Sequence, residues 1–132
     1  NAAGILQHER RYTMPEFEVV FYDLPNGKEP AKEFLEGLDQ KMQAKLIRTV
    51  VLLQQNGPAL REPYSKPLDN GLFELRAKVG SDISRVLYFF FVGRKIVLTN
   101  GFIKKTQKTP RGEIEKANAY RKEYLSRKEN RL

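Results

Sequence analysis

Apolar and polar positions along the first half of the chain predict one strand followed by two helices. Phe17–Tyr22 is a β-branched and aromatic run that predicts a strand, and the turn signal Asn26–Gly27 follows it. A first helix is expected to begin near Pro30. Its apolar side consists of Ala31, Phe34 and Leu35. A second helix is expected between Asp39, a good capping residue, and Gly57–Pro58, which ends it. Its apolar positions recur every three or four residues: Leu38, Met42, Leu46, Val50 and Leu53.

The second half of the chain predicts three strands joined by short turns, and then a helix. Leu72–Val79 alternates between apolar and charged residues, Ile83–Val92 is apolar on both faces, and Ile96–Phe102 follows another turn. Short turns between consecutive strands give an antiparallel meander. Thr109 is expected to cap a terminal helix with Pro110 at its first position. The sequence therefore predicts an α+β domain with an N-terminal strand and helical hairpin, a three-stranded antiparallel meander that completes the sheet, and a C-terminal helix.

Length and composition exclude several classes of protein. The 132 residues suffice for one domain, and we expect residues 1–13 to be a tag or disordered leader before a single domain at 14–132. The chain has no cysteine and one histidine, His8, which excludes disulfides, thiolate or histidine metal sites and a Ser–His triad. Neither a signal peptide nor an apolar run of about 18–20 residues is present, so a cytoplasmic location is expected.

The net charge is +8, and most of the excess lies in the last quarter of the chain. Residues 104–132 contain ten Lys or Arg and four Asp or Glu, a balance of +6. Such a polarised basic surface favours nucleic acid, an acidic protein partner, or both. A basic helix that only improves solubility would have the same composition.

The segment GFIKKTQKTP places a cluster of cations where a predicted core strand ends. Its cationic and hydroxyl side chains include Lys104, Lys105, Thr106 and Lys108. We expect the meander to bring Arg76, Lys78 and Arg85 to the same edge of the sheet. The guanidinium fork of arginine matches phosphate and lysine supplies a point charge, so together they could bind a phosphate and stabilise a pentacovalent transition state. The pattern is more specific for phosphate binding than for catalysis.

Several residues of this region have a structural alternative. Arg85 opens an otherwise apolar strand, and it could simply pair with Glu74 or Asp82 across the ladder. Glu74 could act as a base, but a glutamate beside Arg76 more often serves as its ion-pair partner. Tyr64, in the loop before the meander, could stack on a base, although loop tyrosines more commonly pack. The sequence leaves these alternatives open.

The order of elements and the string LFELR…SRVLYFF…IVLTNGFIKKTQKTP…EIEKA resemble the RelE/ParE toxin superfamily, in particular its phage-derived, HigB-like branch. The resemblance runs from about Phe17 to Tyr124 and implies a RelE-like fold. It also implies the toxin of a type II toxin–antitoxin system, a ribosome-dependent endoribonuclease that cleaves mRNA with no metal and no cofactor. The implied partners are a helix-turn-helix antitoxin from the same operon, mRNA on the ribosome, and operator DNA through the antitoxin complex.

Carried over position by position, the resemblance assigns a catalytic set that binds phosphate and balances transition-state charge: Arg76, Arg85, Lys104 and Lys105. Neighbouring residues are expected to bind RNA: Lys78, Thr106, Lys108 and Arg111. The chain departs from some relatives, since it has Glu74 where they have a lysine and lacks a late catalytic tyrosine or histidine. The general base is therefore not assigned. Two alternatives also remain: a ParE-like toxin that poisons DNA gyrase, and a non-enzymatic protein that binds its antitoxin and operator DNA.

Overall fold

The computed structural model describes residues 16–104 and 108–129, without the side chain of Lys104. Its main elements in chain order are β1 (Glu18–Phe21), α1 (Pro30–Glu36), α2 (Gln40–Asn56), β2 (Ser65–Pro67), β3 (Phe73–Val79), β4 (Asp82–Phe91), β5 (Lys95–Lys104) and α3 (Arg111–Glu129). Short 3₁₀ turns occupy Gly57–Ala59 and Asp69–Gly71. Within the described residues, no helix is both long and apolar enough to cross a membrane. The leader predicted at residues 1–13 lies outside this part of the chain.

The strands form one five-stranded sheet in the order β1-β5-β4-β3-β2. β3, β4 and β5 make the predicted antiparallel meander, with β4 between its two neighbours. The α+β, RelE-like arrangement is thereby confirmed. β1 extends the sheet by pairing in parallel with β5, so that Val19 lies opposite Ile96. The edge strand β2 pairs antiparallel with β3 and was not predicted, because its three residues carry no alternating apolar pattern.

One face of the sheet is covered by the hairpin of α1 and α2. Leu75 of β3 is buried there with Met42 and Leu46 of α2. The predicted start of α2 is confirmed, because the Asp39 carboxylate accepts a hydrogen bond of 2.9 Å from the backbone N–H of Met42. The helix ends before Gly57, whose φ of 52° lies in a region that favours glycine.

The opposite face of the sheet is covered by α3. The helix contributes Ala117 and Tyr124 to a second buried cluster. The sheet contributes Leu87, Phe89 and Val97 to it, together with Tyr22 and with Leu72, which precedes β3. Tyr22 stacks on Tyr120 at 4.8 Å between ring centroids and donates a hydrogen bond of 2.7 Å to Glu123. Burial, helped by this hydrogen bond, raises the pKa of Tyr22 well above its ordinary value.

A β-bulge in β5 changes which of its residues face α3. Tyr88 pairs with Leu98, whereas Leu87 pairs with Asn100, so Thr99 is an extra residue on β5. Because side chains alternate between the two faces of a strand, the extra residue shifts the alternation by one. Asn100 therefore turns toward α3 instead of sharing the face of Leu98.

Candidate functional site

The charged residues of β3 lie on the sheet face that α3 covers, as the alternation predicts. Their apolar neighbours Leu75 and Ala77 are buried against the helical hairpin on the other face. Arg76 lies directly opposite Arg85 in the β3–β4 ladder, and Lys78 follows Arg76 two residues along the same strand. The predicted proximity of these three cations is confirmed, whereas their function stays a prediction.

Glu74 is a buried carboxylate that both arginines share. Nε of Arg76 donates to Oε1 of Glu74 at 2.9 Å, and Nη1 of Arg85 lies 3.7 Å from the same oxygen. The other oxygen, Oε2, accepts a hydrogen bond from the hydroxyl of Thr109. Because Glu74 is 0% exposed and both of its oxygens are engaged, it is an ion-pair partner and not an accessible base.

Arg85 is a buried cation that is only 1% exposed. Arginine is rarely buried so completely in proteins. Burial lowers the pKa of Arg85, Glu74 opposes that shift, and Arg76 adds to it. Arginine still keeps its charge at neutral pH, because its ordinary pKa is so high. Arg85 pairs with Glu74, one of the two acidic partners that the sequence left open. Arg85 is therefore a fixed positive charge inside the domain, in line with Arg76.

The two arginines and one carboxylate leave a net positive charge at this place in the sheet. Its accessible part is Arg76, whose side chain is 20% exposed, and the neighbouring Lys78 is exposed. Among the described residues, Nη1 and Nη2 of Arg76 have no hydrogen-bond partner. Those two amino groups can therefore bind an anion while Nε remains on Glu74.

The predicted cations at the end of β5 are Lys104 and Lys105. Lys104 is the last residue of β5, and its backbone pairs with Ile83, two residues before Arg85. The backbone of Lys104 thus lies on the strand next to the arginine pair. Lys105 and Thr106 lie outside the described residues, so their place in the site stays a prediction.

Thr109 attaches the segment before α3 to the buried carboxylate. The helix begins at Arg111, and the residue directly before it is Pro110. The expectation that Thr109 caps the helix is therefore wrong. Its hydroxyl donates to Glu74 instead. A hydrogen bond to a charged carboxylate is stronger than one between neutral groups, so this contact fastens the segment before α3 to β3.

Lys108 and Arg111 line a different pocket from Arg76 and Lys78. Both are exposed, and Arg111 forms an ion pair of 3.5 Å with Glu115 on the surface of α3. They line a surface pocket of about 380 Å³ together with Asp69 and Asn70, which precede β3. Because acidic residues share this pocket, its cations are partly compensated and attract an anion less than Arg76 and Lys78 do.

Two contacts near the site were not predicted from the sequence. Nδ2 of Asn100 donates to the backbone carbonyl of Glu113 at 3.2 Å and to its Oε1 at 2.9 Å, which fastens the first turn of α3 to β5. The available signal was a lone amide side chain in an apolar strand. Lys45 of α2 lies in a pocket with Arg76 and Lys78, a proximity for which the sequence holds no signal.

Comparison with known proteins identifies one family. The family model described as Phage derived protein Gp49-like (DUF891) matches residues 33–122, more than half of the chain. The matched segment includes both arginine-bearing strands, Thr109 and the first part of α3. No curated protein matches the chain.

Proposed function

Because the chain belongs to the Gp49-like family of phage-derived proteins, we propose that it is the toxin of a type II toxin–antitoxin system that cleaves mRNA on the ribosome. The family is consistent with such a toxin. The proposed activity is that of a metal-independent endoribonuclease of the HigB-like kind, acting in the cytoplasm. The observation that carries the proposal is the pair of opposed arginines held by one buried carboxylate.

The proposed reaction uses the 2′-hydroxyl of the RNA as its nucleophile. The 2′-oxygen forms a bond to the neighbouring phosphorus while the bond from phosphorus to the 5′-oxygen breaks. One proton leaves the 2′-hydroxyl and one is added to the 5′-oxygen, which gives a 2′,3′-cyclic phosphate and a 5′-hydroxyl. Negative charge accumulates on the phosphate in the transition state, where fixed cations stabilise it most.

Arg76 is the described residue best suited to contact that phosphate, because its two amino groups have no protein partner among the described residues. Arg85 contributes positive charge from inside the domain without contacting RNA, since it is buried. The exposed Lys78 offers a second contact on the same strand. Lys104 and Lys105 are proposed to complete the phosphate site, and a lysine crowded by other cations is also a candidate for proton transfer.

The other expected RNA contacts and partners belong to the same proposal. Thr106, Lys108 and Arg111 are proposed to bind the RNA beyond the cleaved phosphate. An antitoxin from the same operon is the proposed inhibitor, because covering Arg76 and Lys78 with acidic side chains would block phosphate binding. Operator DNA would then be bound by the complex of the two proteins.

The test compares the chain with the variant Arg76→Ala and with a matched control, Lys122→Ala, which removes an exposed cation from α3. Each protein is induced briefly in cells, and the 5′ ends of cellular mRNA are mapped. Cleavage of mRNA is also measured on purified ribosomes. We expect new 5′-hydroxyl ends with the unchanged chain and with the control, and a loss of cleavage by a factor of about 10² or more with Arg76→Ala.

Thermal unfolding of each variant confirms that it is folded before the rates are compared. Growth arrest without new mRNA ends would overturn the proposed endoribonuclease. A supercoiling assay on DNA gyrase would then test the ParE-like alternative, and inhibition of gyrase would support it. Binding of the antitoxin with neither activity would favour the non-enzymatic alternative.

A further inference from the structure

A surface pocket of about 330 Å³ adjoins Arg76. It is lined by Lys45, Pro63, Tyr64, Arg76, Lys78 and Ile83. We propose that this pocket binds one nucleotide of single-stranded RNA next to the cleaved phosphate, with Tyr64 stacked on the base. Lys45 and Lys78 bind the phosphates on either side of that base. The inference rests on the proposed function and adds to it a subsite that recognises a base.

The charges around the pocket favour a polyanion. Lys45 comes from α2, whereas Arg76 and Lys78 come from β3, so three cations from two elements surround one cavity. Among the described residues that line it there is no Asp or Glu. Within the described part of the chain, neither lysine forms an ion pair with a carboxylate. The two lysines thus add positive charge that no described carboxylate compensates beside Arg76, which is paired with Glu74, and such a concentration of charge attracts phosphate groups.

Tyr64 presents an aromatic ring at the surface, on a backbone that hydrogen bonds hold in place. It is 40% exposed, yet its backbone carbonyl accepts a hydrogen bond of 2.8 Å from the N–H of Arg76, and its own N–H donates to Arg61 at 3.0 Å. The next residue, Ser65, is buried and shares a hydrogen bond of 2.5 Å with the hydroxyl of Tyr88. The backbone of Tyr64 is therefore held at the edge of the sheet, and its exposed ring does not belong to the core.

An aromatic ring and several cations around one cavity match the chemistry of a nucleotide. Bases stack on aromatic side chains while cations follow the phosphate backbone, and this combination recurs in proteins that bind single-stranded nucleic acid. Inorganic phosphate alone would leave the ring without a function. Arg76 belongs both to this pocket and to the carboxylate contact at Glu74, so the base would lie directly next to the proposed site of cleavage.

The test measures binding separately from cleavage. A fluorescent single-stranded oligonucleotide with 2′-O-methyl groups cannot be cleaved through its 2′-oxygen, and its affinity is measured by fluorescence anisotropy. We expect Tyr64→Ala to weaken binding by about 5- to 150-fold, the loss of one stacked base, and Tyr64→Phe to stay within about twofold. With an oligonucleotide that lacks bases, the unchanged chain and Tyr64→Ala should bind equally.

The lysines are tested through the salt dependence of the same binding. For single strands each phosphate contact contributes about 0.7 to the slope of log K against log salt concentration. Lys45→Met and Lys78→Met should each lower the slope by about that amount. The control Lys122→Met, on the exposed surface of α3, should leave the slope unchanged. Unfolding curves establish that each variant is folded.

The two proposals fail in different ways. Equal affinity of Tyr64→Ala and the unchanged chain, or an unchanged slope with Lys45→Met, would overturn the base subsite even if mRNA is cleaved normally. Conversely, binding that depends on Tyr64 in the absence of any cleavage would retain the subsite and overturn the endoribonuclease. Weakened binding of Tyr64→Ala together with altered cleavage positions on mRNA supports both.

Discussion

Arg76 and Arg85 lie directly opposite each other in the β3–β4 ladder, and both guanidinium groups contact Oε1 of Glu74. Like charges directly opposite each other destabilise a sheet. The carboxylate of Glu74 offsets this repulsion, so the fold can hold both arginines at paired positions. Stability and the proposed activity consequently depend on the same three residues.

Replacement of the shared carboxylate should destabilise the fold. Glu74→Ala leaves Arg85, which is 1% exposed, without its counter-charge, and we expect the free energy of unfolding to fall by about 3–5 kcal/mol. Urea unfolding measures the change. The matched control is Glu115→Ala, which removes a carboxylate that is 71% exposed and should cost less than about 1 kcal/mol. Equal unfolding midpoints for the two variants would contradict the buried ion pair.

The hydroxyl of Thr109 should contribute to stability through Glu74. Thr109→Val keeps the size of the side chain but removes the donor to a buried carboxylate oxygen, and we expect a loss of about 1–3 kcal/mol. Thr109→Ser keeps the donor and should lose less. Thermal unfolding of both variants tests this order. A serine variant less stable than the valine variant would show that the methyl group matters more than the hydrogen bond.

Gly101 should tolerate no side chain, because a methyl group there would overlap the ring of Phe34 on α1. We expect Gly101→Ala to lower the free energy of unfolding by about 1–3 kcal/mol. Gly112→Ala is the control, since its methyl group meets no atom within 4 Å and replaces a helical glycine. That variant should be neutral or more stable by up to about 1 kcal/mol. Equal stability of the two variants would contradict the close packing of α1 on β5.

Adding Phe34→Leu to Gly101→Ala gives a second test of the same contact. If the ring causes the overlap, the double variant should lose less stability than the two single losses added together. If the losses of the two single variants simply add in the double variant, overlap with the ring of Phe34 is not the cause of the instability of Gly101→Ala.

The fold should lose stability in alkali through Tyr88. Burial raises the pKa of Tyr88 to about 12, although the hydrogen bond with Ser65 opposes the shift. Below pH 10 both folded and unfolded chains keep this proton, whereas between pH 10 and about 12 mainly the unfolded chain releases it. Stability therefore falls in that window as the pH rises, by at most about 3 kcal/mol for this group.

Tyr88→Phe removes that titration, so its free energy of unfolding should fall less steeply between pH 10 and 11.5. Urea unfolding at several pH values measures both slopes. The buried Tyr22, whose pKa is also raised, remains in both proteins and does not affect the comparison. Identical slopes would show that Tyr88 is not protected from ionisation by the fold.

Much of the fold followed from local patterns in the sequence. The alternation of Leu72–Val79 predicted which residues of β3 pack against the helical hairpin, and Asp39 predicted where α2 begins. Pairing between strands that are distant in the sequence produces no local pattern of apolar and polar residues. The parallel pairing of β1 with β5 and the bulge at Thr99 depend on how strands meet, and the three-residue β2 is too short to show a period.

The candidate site could be predicted where strand register determines it. The short turn after Val79 fixes the pairing of Arg76 with Arg85, so their proximity follows from the sequence. The partner of Thr109 could not be inferred, because it lies 35 residues away on another element. Lys45 likewise reaches its pocket only through the packing of α2 on the sheet.

The order of β3, β4 and α3 along the chain has a consequence for folding during translation. Glu74, Arg76 and Arg85 belong to one hairpin, whose local contacts form readily, whereas Thr109 and α3 are synthesised later. On a nascent chain the three charges would first meet in water, where their attraction is weak. Arrival of α3 then excludes the water. The ion pair therefore gains its full strength only when Thr109 and α3 have packed on the sheet.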